Sequence, residues 1–351
     1  MTNCVINKSI NPIHSLTSLR FFSAIAIVFF HIKSTMPIFF SGSYLENLKV
    51  GVEFFFVLSG FILGYNYNQS AKLSLKEFYI KRFARIYPLH LLTFIIWCFL
   101  FFSSWGNETQ EKLVSGFANI TLTQAFFPGL LFSLGYNAVS WSLSNEVFFY
   151  TLFPLIRRVK FSIIIVFIVI TYLLLLHLFN LQEIVNNYFP NFNHFSPFVR
   201  ISDFCCGIIT AQFYQQNTRL KYANFLEVFM ISLVIFQVNT VVIPISPDFM
   251  QIYYSLIFSL LILIFAHEQG AISKYIANQK FLIFLGEASF SLYMWHHIVL
   301  HYCGENFSPQ TPKLLAISSA VLISILISMI SFKYFELVSR KFILEKLLNK
   351  S

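Results

Sequence analysis

Arg20 and His31 stand eleven residues apart in a predominantly apolar stretch. On an α-helix, eleven steps of about 100° make three turns plus roughly 20°, so both side chains project from one face, separated along the axis by ~16 Å. Other ionisable residues fall at matching depths in later apolar stretches. Arg82 and Arg85 stand at the inner mouth of the third. Glu53 opens the second at its outer end, Glu146 lies in the outer part of the fourth, and His296 and His297 lie in the outer half of the ninth. Ionisable groups inside a bilayer are costly and mark functional sites by default. The expectation is two layers, with guanidinium groups inside and imidazoles and carboxylates outside.

That layering suits a group transfer across the thickness of a membrane. Arg20, Arg82 and Arg85 could hold a polyanion such as the phosphates of coenzyme A, for which a planar bidentate fork serves better than an ammonium. A pantetheine arm would then carry a thioester towards His31. There a neutral imidazole could take the proton of an acceptor hydroxyl, oriented by Glu146 or Glu53. A proton relay or an ion-coupled transporter uses similar residues. Each group also has a plainer explanation: Arg20 can snorkel to headgroups, Arg82 and Arg85 can set orientation, and His31 can bond one helix to another.

Holding groups at two depths requires helices that cross. The chain is 57% hydrophobic and 11% charged, against about 25% charged in ordinary soluble domains, and stretches such as 161–179, 225–242 and 314–332 are each long enough to span a hydrocarbon core of roughly 30 Å. The pattern predicts an all-α, polytopic membrane protein forming a single domain over 1–351, with ten crossings near 16–34, 51–67, 86–104, 140–157, 161–179, 198–214, 225–243, 250–267, 282–302 and 313–333. The first stretch carries Arg20 and His31 and leads into further spans, so it reads as a retained span rather than a cleaved leader.

With the N-terminus in the cytoplasm, 19 of the 24 Lys and Arg residues fall on the cytoplasmic side; Lys33, Lys49, Lys112 and Lys313 fall outside and Arg200 falls within a span. Such a bias predicts that both termini are cytoplasmic. It also predicts that residues 113–135 do not cross, since an eleventh span would invert every later basic cluster; that piece reads as re-entrant or interfacial. The net charge of +9 thus belongs to membrane orientation, not to nucleic-acid binding. The five cysteines (Cys4, Cys98, Cys205, Cys206, Cys303) have no metal-ligand spacing, and adjacent Cys205 and Cys206 read as packing residues.

Five blocks resemble, in order, the acyltransferase-3 family of membrane-bound acyl-CoA-dependent acyltransferases. Leu19-Arg20 through His31 is similar to its Arg-x(10)-His signature, and Gly51-Val52-Glu53 through Ser59-Gly60-Phe61 to its second-span motif. Arg82-Phe83-Ala84-Arg85-Ile86-Tyr87-Pro88 resembles its basic loop, Trp141-Ser142-Leu143-Ser144-Asn145-Glu146 its Trp-Ser-Leu-x-x-Glu block, and Leu285 through Trp295-His296 its ninth-span region. The resemblance implies transfer of acetyl or a similar short acyl group to a sugar hydroxyl, with acceptors that include O-antigen, exopolysaccharide, peptidoglycan, small glycosides and macrolides. It implies a bacterial inner-membrane location and acyl-CoA as donor substrate, with no permanently bound cofactor and no metal. His31 matches the family's catalytic histidine, Arg20 its donor-associated arginine, Arg82 and Arg85 its essential pair, and Glu146 a glutamate tied to function. Glu53, Ser59, Trp141 and His296 are expected to contact substrate. The family often ends in Glu-x-Pro, whereas Glu336 is followed here by Leu337 and Val338, which weakens any role carried over to that segment. Many relatives carry an SGNH-type esterase domain after the membrane part. None lies within these 351 residues, so transfer without such a domain is expected.

The charge count is testable. A reporter fused after Ser351 should read as cytoplasmic and one in the 180–197 loop as external; the opposite signals would end the ten-span arrangement.

Overall fold

The computed structural model describes residues 12–40, 45–67, 73–101, 109–127, 129–160, 163–165, 167–168, 170, 192–216, 219–239 and 247–348. Among them all regular structure is helical. The elements used below are α1 (His14–Thr35), α2 (Gly51–Tyr67), α3 (Leu75–Phe101), α4 (Thr109–Ile120), α5 (Leu130–Leu134), α6 (Trp141–Ile156), α7 (Phe192–Phe195), α8 (Pro197–Gln216), α9 (Ala223–Asn239), α10 (Pro247–Ala266), α11 (Ala271–Asn278), α12 (Lys280–Glu287), α13 (Ser289–Asn306), α14 (Lys313–Ser331) and α15 (Leu337–Leu348), with a π turn at Phe332–Glu336.

Helices stand on nine of the ten apolar stretches; most of the fifth, 161–179, lies outside the described residues. Among the described residues, four helices suffice by length and composition to cross a membrane, His14–Thr35, Glu46–Tyr67, Leu75–Phe101 and Lys313–Leu348, or five if the bent pair Met250–Ala266 and Ala271–Asn278 is one span. The others fall short for identifiable reasons. Helices α6 and α9 are only 16 and 17 residues long. Helix α8 carries Arg200, Ser202 and Asp203, and it can do so because these residues are buried against other helices.

Three boundaries differ from the sequence reading. Helix α3 starts at Leu75, so Arg82 and Arg85 sit inside a helix rather than at its mouth. The stretch 282–302 is split at Ala288, whose N–H bonds back to Gly286 and Phe284. Beyond Ser331 the last helix continues through the π turn into α15. Residues 113–135 hold the latter part of the 12-residue α4, a 3₁₀ turn and a five-residue helix, with no continuous span among the described residues. Buried amides fasten the piece to the start of α6: Asn119 Nδ2 donates to Ser140 Oγ at 3.1 Å and Gln124 Nε2 to the Ser140 carbonyl at 3.0 Å. Pro128, within that piece, lies outside the described residues.

Helix α1 is the element around which the others are arranged. Its first half carries serines at positions 15, 18 and 23, and these bond to neighbouring backbones. Ser15 Oγ donates to the Phe265 carbonyl (2.8 Å), Ser18 Oγ to the Ile276 carbonyl (2.9 Å) and Ser23 Oγ to the Gly51 carbonyl (3.0 Å). Gly286 of α12 lies so close to α1 that a Cβ there would fall on the Thr17 carbonyl. Small residues and interhelical hydrogen bonds of this kind let helices approach closely where no hydrophobic force drives them together. Helices α2 and α8 use the same device, since a Cβ on Gly207 would meet the Val57 carbonyl. Cys205 and Cys206 are buried free thiols beside that contact, consistent with packing roles.

Candidate active site

A cavity of about 380 Å³ opens among α1, α2, α3, α6, α13 and α15. Arg20 reaches it from α1, and Arg82 and Arg85, three residues apart and so on one face of α3, reach it from the side. Glu146 and Tyr150 of α6 follow the i, i+4 spacing, and the Tyr150 hydroxyl donates to Glu146 Oε2 at 2.7 Å. Ser59 of α2 lines the same wall beside Tyr150. The Arg82 guanidinium lies over the Tyr150 ring at 5.7 Å and the Phe78 ring at 6.0 Å.

Arg340 of α15 completes the lining. Here the π turn matters. One extra residue in a turn rotates everything after it by about 100°, and Glu336 and Arg340 thereby join the arginine group. Glu336 is buried, accepts from Ser291 Oγ at 2.7 Å, and lies within electrostatic reach of Arg85, Arg20 and Arg340. That placement sets the segment beside the arginines despite its departure from the Glu-x-Pro pattern. Among the described residues none of the four guanidinium groups forms an ion pair with a carboxylate. Glu146 and Glu336 stand near them and offset part of the charge. Four cations against two anions leave a cavity suited to a polyanion.

His31 lies further along α1, outside that lining. Its Nδ1 is 3.0 Å from the Ile27 carbonyl and 3.2 Å from His296 Nε2, and the His297 ring centroid is 5.4 Å away. Among the described residues no carboxylate contacts it. Glu146, expected to orient His31, faces the arginines instead, because the i, i+4 bond to Tyr150 directs it there. Tyr293 stands between the two groups of residues. It lines the cavity, its ring is 5.8 Å from that of His296, and its hydroxyl bonds Ser142 Oγ (2.8 Å) and the Val139 carbonyl (2.9 Å).

Glu53 and Trp141 are drawn to a third place. Glu53 Oε1 accepts from Arg200 NH1 at 2.8 Å, and the same nitrogen is 3.4 Å from Asp203. Arg200 also donates through Nε to the His194 carbonyl (2.8 Å) and lies over the Trp141 ring at 5.9 Å. Asp203 accepts from Gln251 at 3.2 Å and from Ser255. Glu53, Arg200, Asp203 and Trp141 are all buried, and neither Glu53 nor Trp141 lines the cavity. The structure thus places these two away from the cavity: a buried guanidinium requires counter-charges, and Glu53 and Asp203 supply them, with Trp141 beneath. In the sequence Arg200 stands out only as an exception to the charge count. Its place inside an apolar stretch, away from the loops that hold the other basic residues, was the signal that could have identified the pair. No comparable signal pointed to Arg340, whereas Tyr150 follows and Tyr293 lies within blocks that resemble the family, with no role assigned to either there. Among the described residues no group of three or more His, Cys, Asp or Glu is placed to hold a metal ion.

Residues 13–333 match the profile of a family described as an acyltransferase domain, Acyl_transf_3. The chain is 38% identical over 157 residues to Acyltransferase MdmB of Streptomyces mycarofaciens, covering 41% of this chain and 39% of that protein. It is 24% identical over 364 residues to O-acetyltransferase OatA of Staphylococcus aureus, covering 93% of this chain and 57% of that protein. The chain thus spans well under two thirds of either relative's length. No solved structure matches it.

The Glu53–Arg200 pair makes a stability prediction. Glu53→Leu leaves Arg200 with Asp203 alone and should cost about 3–5 kcal/mol, read as a fall in the thermal unfolding midpoint of the detergent-solubilised protein. The double variant Glu53→Leu, Arg200→Met should be more stable than Glu53→Leu alone.

Proposed function

The chain belongs to the acyltransferase-3 family of acyltransferase domains, and on that premise we propose that it is a membrane-bound O-acyltransferase, an O-acetyltransferase in the first instance, drawing on cytoplasmic acyl-CoA and acylating a sugar hydroxyl of a surface polysaccharide or lipid-linked glycan at the extracytoplasmic side of a bacterial inner membrane. The observation that carries the reading is α1 itself. One unbroken helix presents Arg20 to a cavity with surplus positive charge and, eleven residues on, His31 to a place where no carboxylate among the described residues contacts it.

In this reading Arg20, Arg82, Arg85 and Arg340 hold the phosphates of the donor. Glu146, Glu336 and Tyr150 keep the guanidinium groups apart and oriented. The pantetheine arm passes Ser59, Ser142 and Tyr293 and brings the thioester towards His31. His31 Nε2 takes the proton of the acceptor hydroxyl as its oxygen bonds to the acyl carbon. The carbon–sulfur bond breaks, and the proton is returned to the departing thiolate, so one ester and one free coenzyme A thiol are produced. The ten-span arrangement with cytoplasmic termini puts the arginine cavity at the cytoplasmic end of α1 and His31 in the outer half of the membrane. The names of the two relatives support acyl transfer.

Two measurements test this. Arg340→Ala and Arg82→Lys should each weaken coenzyme A binding by about tenfold or more, since each removes charge-assisted hydrogen bonds worth roughly 1.5–3 kcal/mol; calorimetry on folded protein showing unchanged affinity in both would remove the donor site from this cavity. His31→Ala and His31→Gln should leave that affinity nearly intact while lowering acyl transfer by roughly 10²-fold. Activity at or above about a tenth of wild type in His31→Gln would return His31 to helix packing.

A further inference from the structure

His31 and His296 share a hydrogen-bond pattern that admits one proton arrangement. His296 Nδ1 is 3.1 Å from the Leu292 carbonyl, one turn back on α13, and His31 Nδ1 is 3.0 Å from the Ile27 carbonyl, one turn back on α1. A carbonyl only accepts, so each Nδ1 must carry a proton. A neutral imidazole has one proton, which leaves Nε2 of each ring with a lone pair. His296 Nε2 then stands 3.2 Å from His31 Nδ1 and can only accept from it. The His31 Nδ1 proton is shared between the Ile27 carbonyl and His296 Nε2. His31 Nε2 makes no hydrogen bond among the described residues, and His31 is only half-buried, whereas His296 is fully buried.

We infer that His296 is a positioning residue for His31, holding it in the Nδ1–H tautomer that presents Nε2 as a base; the inference rests on the reading of His31 as the group that takes the acceptor's proton. The role sequence analysis expected for His296, contact with substrate, is replaced by one a shell deeper in the protein. In many sites a carboxylate holds the imidazole and stabilises it once protonated. Here the acidic residues are committed elsewhere, Glu53 to Arg200 and Glu146 to Tyr150. A neutral imidazole lone pair backed by a helix carbonyl takes the carboxylate's place. When His31 Nε2 gains the proton, Nδ1–H still faces two acceptors, which stabilises the cation where water is scarce. The titratable groups facing the pair are His297 of α13, with His301 beyond it at 6.3 Å between rings, and Tyr293, whose hydroxyl is engaged with Ser142 and Val139. Lys33, two residues past His31, is paired with the exposed Glu46.

Histidine ¹⁵N spectra of the labelled, detergent-solubilised protein at neutral pH test the geometry without reference to activity. His31, assigned by its loss in His31→Gln, should show a protonated Nδ1 and an unprotonated Nε2. Kinetics test the role. His296→Leu should lower kcat by about 10- to 100-fold with an unchanged KM for acyl-CoA. It should also move the acid limb of the kcat–pH profile to lower pH, because the protonated form of His31 loses an acceptor. His296→Gln, whose Oε1 can accept where Nε2 did, should recover most of the loss. An Nε2–H tautomer in the wild type overturns the positioning role while leaving His31 free to be the base. So does a Gln variant no better than Leu, or a Leu variant with wild-type kcat. High activity in His31→Gln overturns the base itself, and the positioning role with it.

Discussion

An unbroken helix from His14 to Thr35 sets the separation of Arg20 and His31, and the rest of the structure is arranged to keep that helix in place. Helical rise holds the two groups ~16 Å apart, a distance no rotamer change can close. Small residues and serine hydroxyls along its first half bring α2, α10, α11 and α12 against it, and α13 meets its far half with His296. Oily surfaces gain little by meeting in lipid, so close backbone approach and shared hydrogen bonds must supply the cohesion. Precision at the site and cohesion of the bundle therefore come from the same contacts.

The buried charges are then distributed by need. Arg200, deep among helices, takes both Glu53 and Asp203, and the cluster is closed by Gln251, Ser255 and His194. The four arginines of the cavity receive no carboxylate at ion-pair distance among the described residues; Glu146 and Glu336 only stand near. A guanidinium fully satisfied by protein holds the fold together, whereas one left partly unsatisfied in a cavity is available to a ligand. Arg200 and Arg20 therefore differ in their partners, although both residues are isolated arginines in apolar stretches. His31 follows the same logic in reverse, since a carboxylate beside it would hold it protonated, and its polar partners are a carbonyl and a neutral ring.

What the sequence alone determined was the membrane character, the helices and the line joining Arg20 to His31. Composition excludes a soluble fold, apolar length marks the helices, and the eleven-residue spacing is a property of one helix that needs no neighbour to define it. The motif order likewise pointed to the family, because it is carried by contiguous residues. Tertiary structure decided every partnership between helices. That Glu146 turns to Arg20 and Tyr150, that Glu53 is claimed by Arg200, and that Tyr293 stands between cavity and imidazoles depend on how helices rotate about their axes. Helices apolar on most faces carry little pattern to specify that rotation. Arg340 was hidden for a sharper reason. A single π turn at Phe332–Glu336 advances the register by one residue, and no spacing rule for a regular helix places a side chain beyond such a turn.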